Sequence, residues 1–503
     1  MAAAASRRLG AAALLSLALS SAAPAQIERS DVARVLREFE EKYAALDAAS
    51  PAKRPVQETM ARAVEAFFRG DSAFVVRALH DSIDTMEGRP PDPRRDLVRS
   101  LGIEFESRLL EPERGPLRAT LLRFMAPARP LEWRELVAEV RIDGRVVSRA
   151  AVPRETIESG GFPIEAGVAA LPPGEHALEV RLAIGREPIG AVAPRRFDVE
   201  PGAAARTLAA FERIEKLRPS APPETRRGLA LATAEERLGY VRRAIDGADD
   251  EVEIPPRATL LEMEAWLALL ESGGDPLAAI SGDQLLAVAD GGGARLPFRA
   301  YIPPRSRSVG NGPPESDPEG SGVPSVLALH GAGGNEHMYF ESYGNGAIRR
   351  EAARRGFAVV APRSPGAFGM SGDHGLRALE ALSRVVAIDP RRRCLTGHSM
   401  GAGQALFLAI ANPGTFAAVA PIAGGFVTAE RLGPLRTTPL YLACGDRDSL
   451  AIGAARALAG AAAAAQFESF RYDERPGVDH LLIVGETMPE VFAFFEAALR
   501  ARR

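Results

Sequence analysis

The chain has 503 residues, more than one hydrophobic core accommodates, so several domains are expected. A composition of 46% hydrophobic and 25% charged residues excludes wholesale disorder. With 62 basic and 65 acidic residues the formal net charge is -3, which offers no electrostatic reason to expect nucleic acid or an anionic membrane surface as a partner.

Residues 1–25 read as a secretory signal peptide. Arg7 and Arg8 supply the positive n-region, Leu9–Ala22 the apolar stretch, and Ala23-Pro24-Ala25 the small residues of a cleavage site. The stretch is short for a membrane span, and no other segment is long and apolar enough. The expectation is an exported protein, periplasmic or extracellular, with no stable membrane insertion after cleavage; the alternative is an uncleaved anchor. The two cysteines, Cys394 and Cys444, lie in apolar runs and read as buried free thiols, without metal-ligand spacing.

Residues 27–100 carry helical periodicity, with Val32, Val35, Leu36 and Phe39 on one face, then segments at Val56–Phe68 and Ala73–Met86. Pro90, Pro91 and Pro93 break the pattern. Over 103–200 the period becomes two. Leu136–Ile142, the Asp143-Gly144 turn and Arg145–Ala151 read as a hairpin, and His176–Ile184 and Phe197–Val199 as further strands of a small β-sandwich-like domain. Residues 203–280 return to helical stripes. From 282 to 503, short apolar runs at Val323–Leu329, Ala358–Ala361, Arg393–Thr396, Ala417–Ile422 and Leu440–Cys444 alternate with helical stretches. That alternation predicts a doubly wound, mainly parallel sheet.

The chemistry concentrates in this last region. Gly397-His398-Ser399-Met400-Gly401 matches G-x-S-x-G, with a strand before it and a helix after it, the context that exposes a serine hydroxyl on a sharp turn. Such a serine needs a base, and the base an orienting acid, in the chain order Ser, acid, His. His480 is the one histidine of seven that follows Ser399. The acid belongs at a strand end between them, where Gly445-Asp446-Arg447-Asp448 lies. Asp448 is favoured and Asp446 remains an alternative. An oxyanion needs backbone donors, for which Leu329-His330-Gly331-Ala332-Gly333-Gly334 is suited; the N–H groups of Ala332 and Met400 are the predicted pair. His330 reads as structural, and His337, His374 and His398 have no equivalent logic.

On these motifs, together with Phe298–Pro303 and Ile388-Asp389-Pro390 leading to Arg393, residues 282–503 resemble α/β-hydrolases. The resemblance is to the group with polyhydroxybutyrate-depolymerase-like and feruloyl-type esterases, dienelactone hydrolase relatives and prolyl-oligopeptidase catalytic domains. Ala402 stands where many relatives have a second glycine, and the acid loop lacks their usual leading histidine. The resemblance implies a multidomain serine hydrolase whose catalytic domain cleaves small-molecule or polymer-linked carboxylic esters, with no cofactor and no metal. A prolyl-oligopeptidase-like peptidase is the second reading, although residues 27–281 show no propeller repeat. A binding protein with a vestigial hydrolase fold is the third. The separation of 49 positions from Ser399 to Asp448 leaves no room there for a large lid (448 − 399 = 49), so the site is expected to be open unless Ala367–His374 or the N-terminal domains cover it.

Overall fold

Apolar runs without alternation need cover on both faces, and the C-terminal half provides it. The computed structural model describes residues 27–289, 294–304, 322–364, 373–425 and 427–502. Outside them lie the predicted signal segment, most of Ala367–His374 and two stretches that the sequence reads as connections: the Gly291–Gly293 turn between Leu285–Ala289 and Pro297–Ile302, and most of the Pro-, Gly- and Ser-rich loop over residues 305–323.

The chain opens with helices α1 (Arg29–Ala44), α2 (Lys53–Phe68), α3 (Ser72–Met86) and α4 (Pro93–Arg99). Asp71 and Asp92 accept from the first-turn amides of α3 and α4. Eight strands follow: β1 (Leu101–Phe105), β2 (Leu109–Leu110), β3 (Leu117–Arg123), β4 (Glu135–Ile142), β5 (Arg145–Pro153), β6 (Phe162–Ala166), β7 (Gly174–Ile184) and β8 (Glu187–Val199), with α5 (Arg154–Ser159) before β6. They form a three-stranded sheet, β1-β3-β6, and a five-stranded sheet, β2-β8-β7-β4-β5, around one apolar core. Asp143 and Gly144 take positive φ, as a two-residue hairpin turn requires. β8 runs 13 residues, not the three expected at Phe197–Val199. Gly190 and the bulge at Ala193-Pro194 hide its period in the sequence.

Helices α6 (Ala203–Leu217), α7 (Arg226–Ile245) and α8 (Pro256–Glu271) lead into a third sheet, of eight strands. Its strands are β9 (Gly282–Ala289), β10 (Arg295–Ile302), β11 (Val323–Leu329), β12 (Ala358–Pro362), β13 (Ile388–His398), β14 (Ala418–Ile422), β15 (Leu440–Gly445) and β16 (Phe470–Arg475). Between them run α9 (Met338–Glu341), α10 (Tyr343–Arg355), α11 (Asp373–Ser383), α12 (Met400–Ala411) and α13 (Ile452–Ala464), and α14 (Leu482–Ala501) closes the chain. The order is β16-β15-β14-β13-β11-β12-β10-β9. β9, β10 and β12 pair antiparallel, and all other neighbours are parallel.

Alternation along the strands decides where the helical regions go. Val326, Ala328, Ala418, Ala420, Tyr441 and Ala443 point to one face, into a core shared with Phe39, Met60, Leu79, Phe492 and Phe495. Leu327, Leu329, Leu395, Val419 and Leu442 point to the other face, into a core shared with Leu229, Leu238, Leu260 and Trp266. Both flanking helical regions are therefore continuous with the sheet they cover, α1–α3 on one side and α6–α8 on the other. Phe39 is wholly buried in the first of these cores. Phe39→Ala is expected to cost about 3–5 kcal/mol, read as a lower urea midpoint for the whole chain.

Candidate active site

Ser399 joins β13 to α12 with φ 55° and ψ -116°, a conformation that a non-glycine residue adopts only when its surroundings enforce it. Here the surroundings are tight backbone. A Cβ on Gly397 would lie 2.1 Å from the Gly401 carbonyl, and one on Gly401 would lie 2.0 Å from that of Leu329. The Ser399 N–H donates to the Ile422 carbonyl at 2.9 Å. The hydroxyl is thereby presented above the strand ends, at the start of a buried helix.

Asp448 follows β15 and His480 precedes α14. The His480 Nδ1–H donates to Asp448 Oδ2 at 2.7 Å, and Asp448 Oδ1 accepts from the backbone of Leu450 and Ala451. Both side chains are buried. Among the described residues, His480 Nε2 has no hydrogen-bond partner, Ser399 included, although both residues line the same cavity. Asp446 is not the hydrogen-bond partner of the His480 Nδ1–H. It accepts from Gly477 N–H at 2.7 Å and so ties the end of β15 to the loop that carries the histidine.

The Gly331–Gly334 loop leaves β11 beside the serine; a Cβ on Gly331 would come within 3.3 Å of Ser399 Cβ. Among the described residues, neither the Ala332 nor the Met400 N–H has an acceptor. His330 is buried and braces this loop, its Nδ1–H on the Gly331 carbonyl and its Nε2 accepting from Ser364 N–H. Burial lowers its pKa, so it stays neutral.

His398, to which the sequence assigns no role, is central to the geometry. Its Nε2 lies 2.7 Å from the His480 carbonyl, an acceptor, so Nε2 carries the proton. Its Nδ1 then accepts from the Tyr343 hydroxyl at 2.6 Å, and that hydroxyl accepts in turn from Gly331 N–H at 3.3 Å. Complete burial drives the His398 pKa well down, so the ring remains neutral in this chain of bonds. Tyr343 begins a run of four positive-φ residues, through Gly344, Asn345 and Gly346. Into that run reaches Glu40 of α1, accepting from Gly344 N–H at 2.8 Å. No local sequence signal marks this set, because its members are scattered over 440 positions of the chain (480 − 40 = 440).

Helices α1–α3 also roof the site, so it is covered, and by the N-terminal region. Arg29 donates to the Gly333 carbonyl, Arg447 pairs with Glu58 at 2.9 Å, and Ser449 donates to Glu65 at 3.0 Å. Phe68 stands edge-on to the His480 ring at 6.0 Å. A Cβ on Gly333 would meet the Phe67 ring at 2.8 Å. The cavity beneath α1–α3 measures about 170 Å³, is mostly apolar and opens to solvent at one side. Cys394 and Cys444 are buried free thiols. Among the described residues, no group of three or more His, Cys, Asp or Glu could hold a metal, and no helix is long and apolar enough to cross a membrane.

Residues 326–502 match the alpha/beta hydrolase family. That stretch is less than half of the 503 residues, and it contains Ser399, Asp448 and His480. Together with the mixed sheet, it makes the C-terminal region an α/β-hydrolase domain. No curated protein matches the sequence. Among solved structures, a thermostable esterase is similar at 19% identity and TM-score 0.35, over 43% of this chain and 62% of its own length. A feruloyl esterase module from Clostridium thermocellum aligns at 15% identity and TM-score 0.34, over 44% and 89%. An S-formylglutathione hydrolase from Agrobacterium tumefaciens aligns at 16% identity and TM-score 0.33, over 43% and 98%.

Two buried carboxyls sit under the roof. Burial pushes Glu40 up to about 7 and Asp479 up to about 6. Between the ordinary 4.5 and about 7, the folded chain holds a proton on Glu40 that the unfolded chain releases, so stability falls as pH rises through this window. Glu40→Gln removes that contribution. Urea midpoints at about pH 5 and about pH 8 are expected to differ less in the variant than in the wild type.

Proposed function

We propose that the chain is an exported serine hydrolase that cleaves carboxylic esters through an acyl-enzyme on Ser399. The observation that carries this reading is the buried Asp448–His480 pair: His480, whose Nε2 has no partner among the described residues, lines one cavity with a serine held on a strained strand-to-helix turn. Asp448 fixes the tautomer in which Nδ1 carries the proton and stabilises the imidazolium that forms. Nε2 is left as the base. As substrate enters, it takes the Ser399 Oγ proton while Oγ attacks the ester carbonyl carbon. The carbonyl oxygen becomes an oxyanion received by the N–H groups of Ala332 and Met400. Collapse of the tetrahedral adduct breaks the bond to the alkoxy group, which leaves as the alcohol with the proton from His480. A water molecule then repeats the sequence on the acyl-enzyme, with His480 again base and then acid, and releases the carboxylic acid.

The absence of a Ser399–His480 hydrogen bond fits a pair that closes only around a substrate, since such contacts are often long in free enzymes. Export rests on the N-terminal residues 1–25 as a signal peptide.

Hydrolysis of p-nitrophenyl esters and labelling by a fluorophosphonate are expected in the wild type. Both should be lost in Ser399→Ala, with kcat/KM down at least about a thousandfold. A wild type that neither labels nor turns over any ester would sink the reading. Asp448→Asn is expected to lower kcat on the order of 10³–10⁴-fold, and Asp446→Asn far less, in the same assay. The reverse ranking would move the orienting role to Asp446.

A further inference from the structure

The acid, base and nucleophile do not require an apolar roof, yet the cavity over Ser399 has one. Leu36 of α1, Met60, Ala63 and Val64 of α2, and Val75 and Leu79 of α3 line it, opposite Ser399, His480 and the Gly331–Gly333 loop. Two features set it apart from a packing gap in the core. Ser399 itself lines it, and its edge carries two large aromatics that the fold leaves half-exposed: Phe67 and Phe68, edge-on to each other, are 43% and 47% exposed while facing Gly333 and His480. Exposed aromatics at the rim of an apolar cavity mark a ligand's entry.

The size of the cavity limits what fits. A dry apolar cavity of about 150 Å³ takes up benzene, so about 170 Å³ accommodates an acyl tail of about six to seven carbons. We propose that helices α1–α3 form the acyl-binding pocket of this enzyme and select esters of apolar carboxylic acids of about that length. The proposal rests on Ser399 being the acylated residue. The acyl carbonyl then lies at Ala332 and Met400, the tail runs under the three helices, and the alcohol faces the rim at Phe67 and Phe68.

Three measurements on the full chain test it. The first is kcat/KM on p-nitrophenyl esters from acetate to dodecanoate. It is expected to rise about three- to fourfold per methylene up to hexanoate or octanoate and to fall beyond them. The second uses two substitutions that move the profile in opposite directions. Ala63→Phe fills the cavity and should lower the hexanoate-to-acetate ratio at least about tenfold. Leu36→Ala, at a half-buried position that tolerates truncation better, should move the optimum about two carbons longer.

The third is calorimetric titration of octanoate into Ser399→Ala, with and without Ala63→Phe, which reads the pocket without catalysis. Ala63 is itself buried, so saturable binding lost in an Ala63→Phe variant that keeps the wild-type urea midpoint supports the pocket even if no ester is turned over, in which case the esterase reading alone fails. A flat chain-length profile, or a preference for acetate, in a protein that still labels at Ser399 overturns the pocket and leaves the serine hydrolase standing. Binding of octanoate that Ala63→Phe does not change overturns the pocket too.

Discussion

A carboxyl group from the first helix, wholly buried and resting on the backbone of a left-handed turn more than 300 residues later, holds the two halves of this protein to one geometry. Glu40 reaches Gly344, whose neighbour Tyr343 carries the hydroxyl that meets both His398 and Gly331. His398 in turn supports the carbonyl of His480. The loop that presents backbone donors, the turn that presents the serine and the loop that presents the base are therefore linked through one phenol and one imidazole. Shift α1 and all three lose a common reference. Placing an ionisable group here is costly, and the raised pKa of Glu40 expresses that cost. The left-handed run provides the compensation, because its amides turn toward the carboxyl.

The same helices serve as cover. A hydrolase sheet leaves its site open at the strand ends unless inserted loops close it, and the short interval from Ser399 to Asp448 supplies no such insertion. In this chain the cover comes from outside the domain. Its apolar side meets the sheet through Phe39, Met60 and Leu79, and its rim is fastened by polar contacts at Arg29, Glu58 and Glu65.

What could be read from the sequence follows from how local each signal is. The elbow around Ser399 is five contiguous residues between a strand and a helix. The candidate partners His480 and Asp448 were narrowed by chain order and strand ends alone. The structure brings these two together, and it places Asp446 on the Gly477 amide instead. Strands β11 to β15 were legible because burial on both faces leaves uninterrupted apolar runs, whereas β16 at the sheet edge, half-buried and rich in charged residues, was not. β8 was largely hidden, since Gly190 and a bulge at Pro194 break its alternation. Beyond local reach were the role of His398, the partnership of Glu40 with Gly344, and the fact that two amphipathic helical regions share cores with opposite faces of one sheet. An amphipathic stripe declares that a face will be buried without saying against what.

Glu40 meets Gly344 across 304 residues, and Tyr43 meets Glu486 across 443. The core that buries α1–α3 also contains Phe492 and Phe495 of the final helix. During synthesis the Gly344 amide that meets Glu40 is made 304 residues after it, and Phe492 and Phe495 only near the end, so long loops must close before these contacts form. The apolar stripes of α1–α3 stay uncovered for most of translation. A chain that stops before its last helix would leave this core without Phe492 and Phe495.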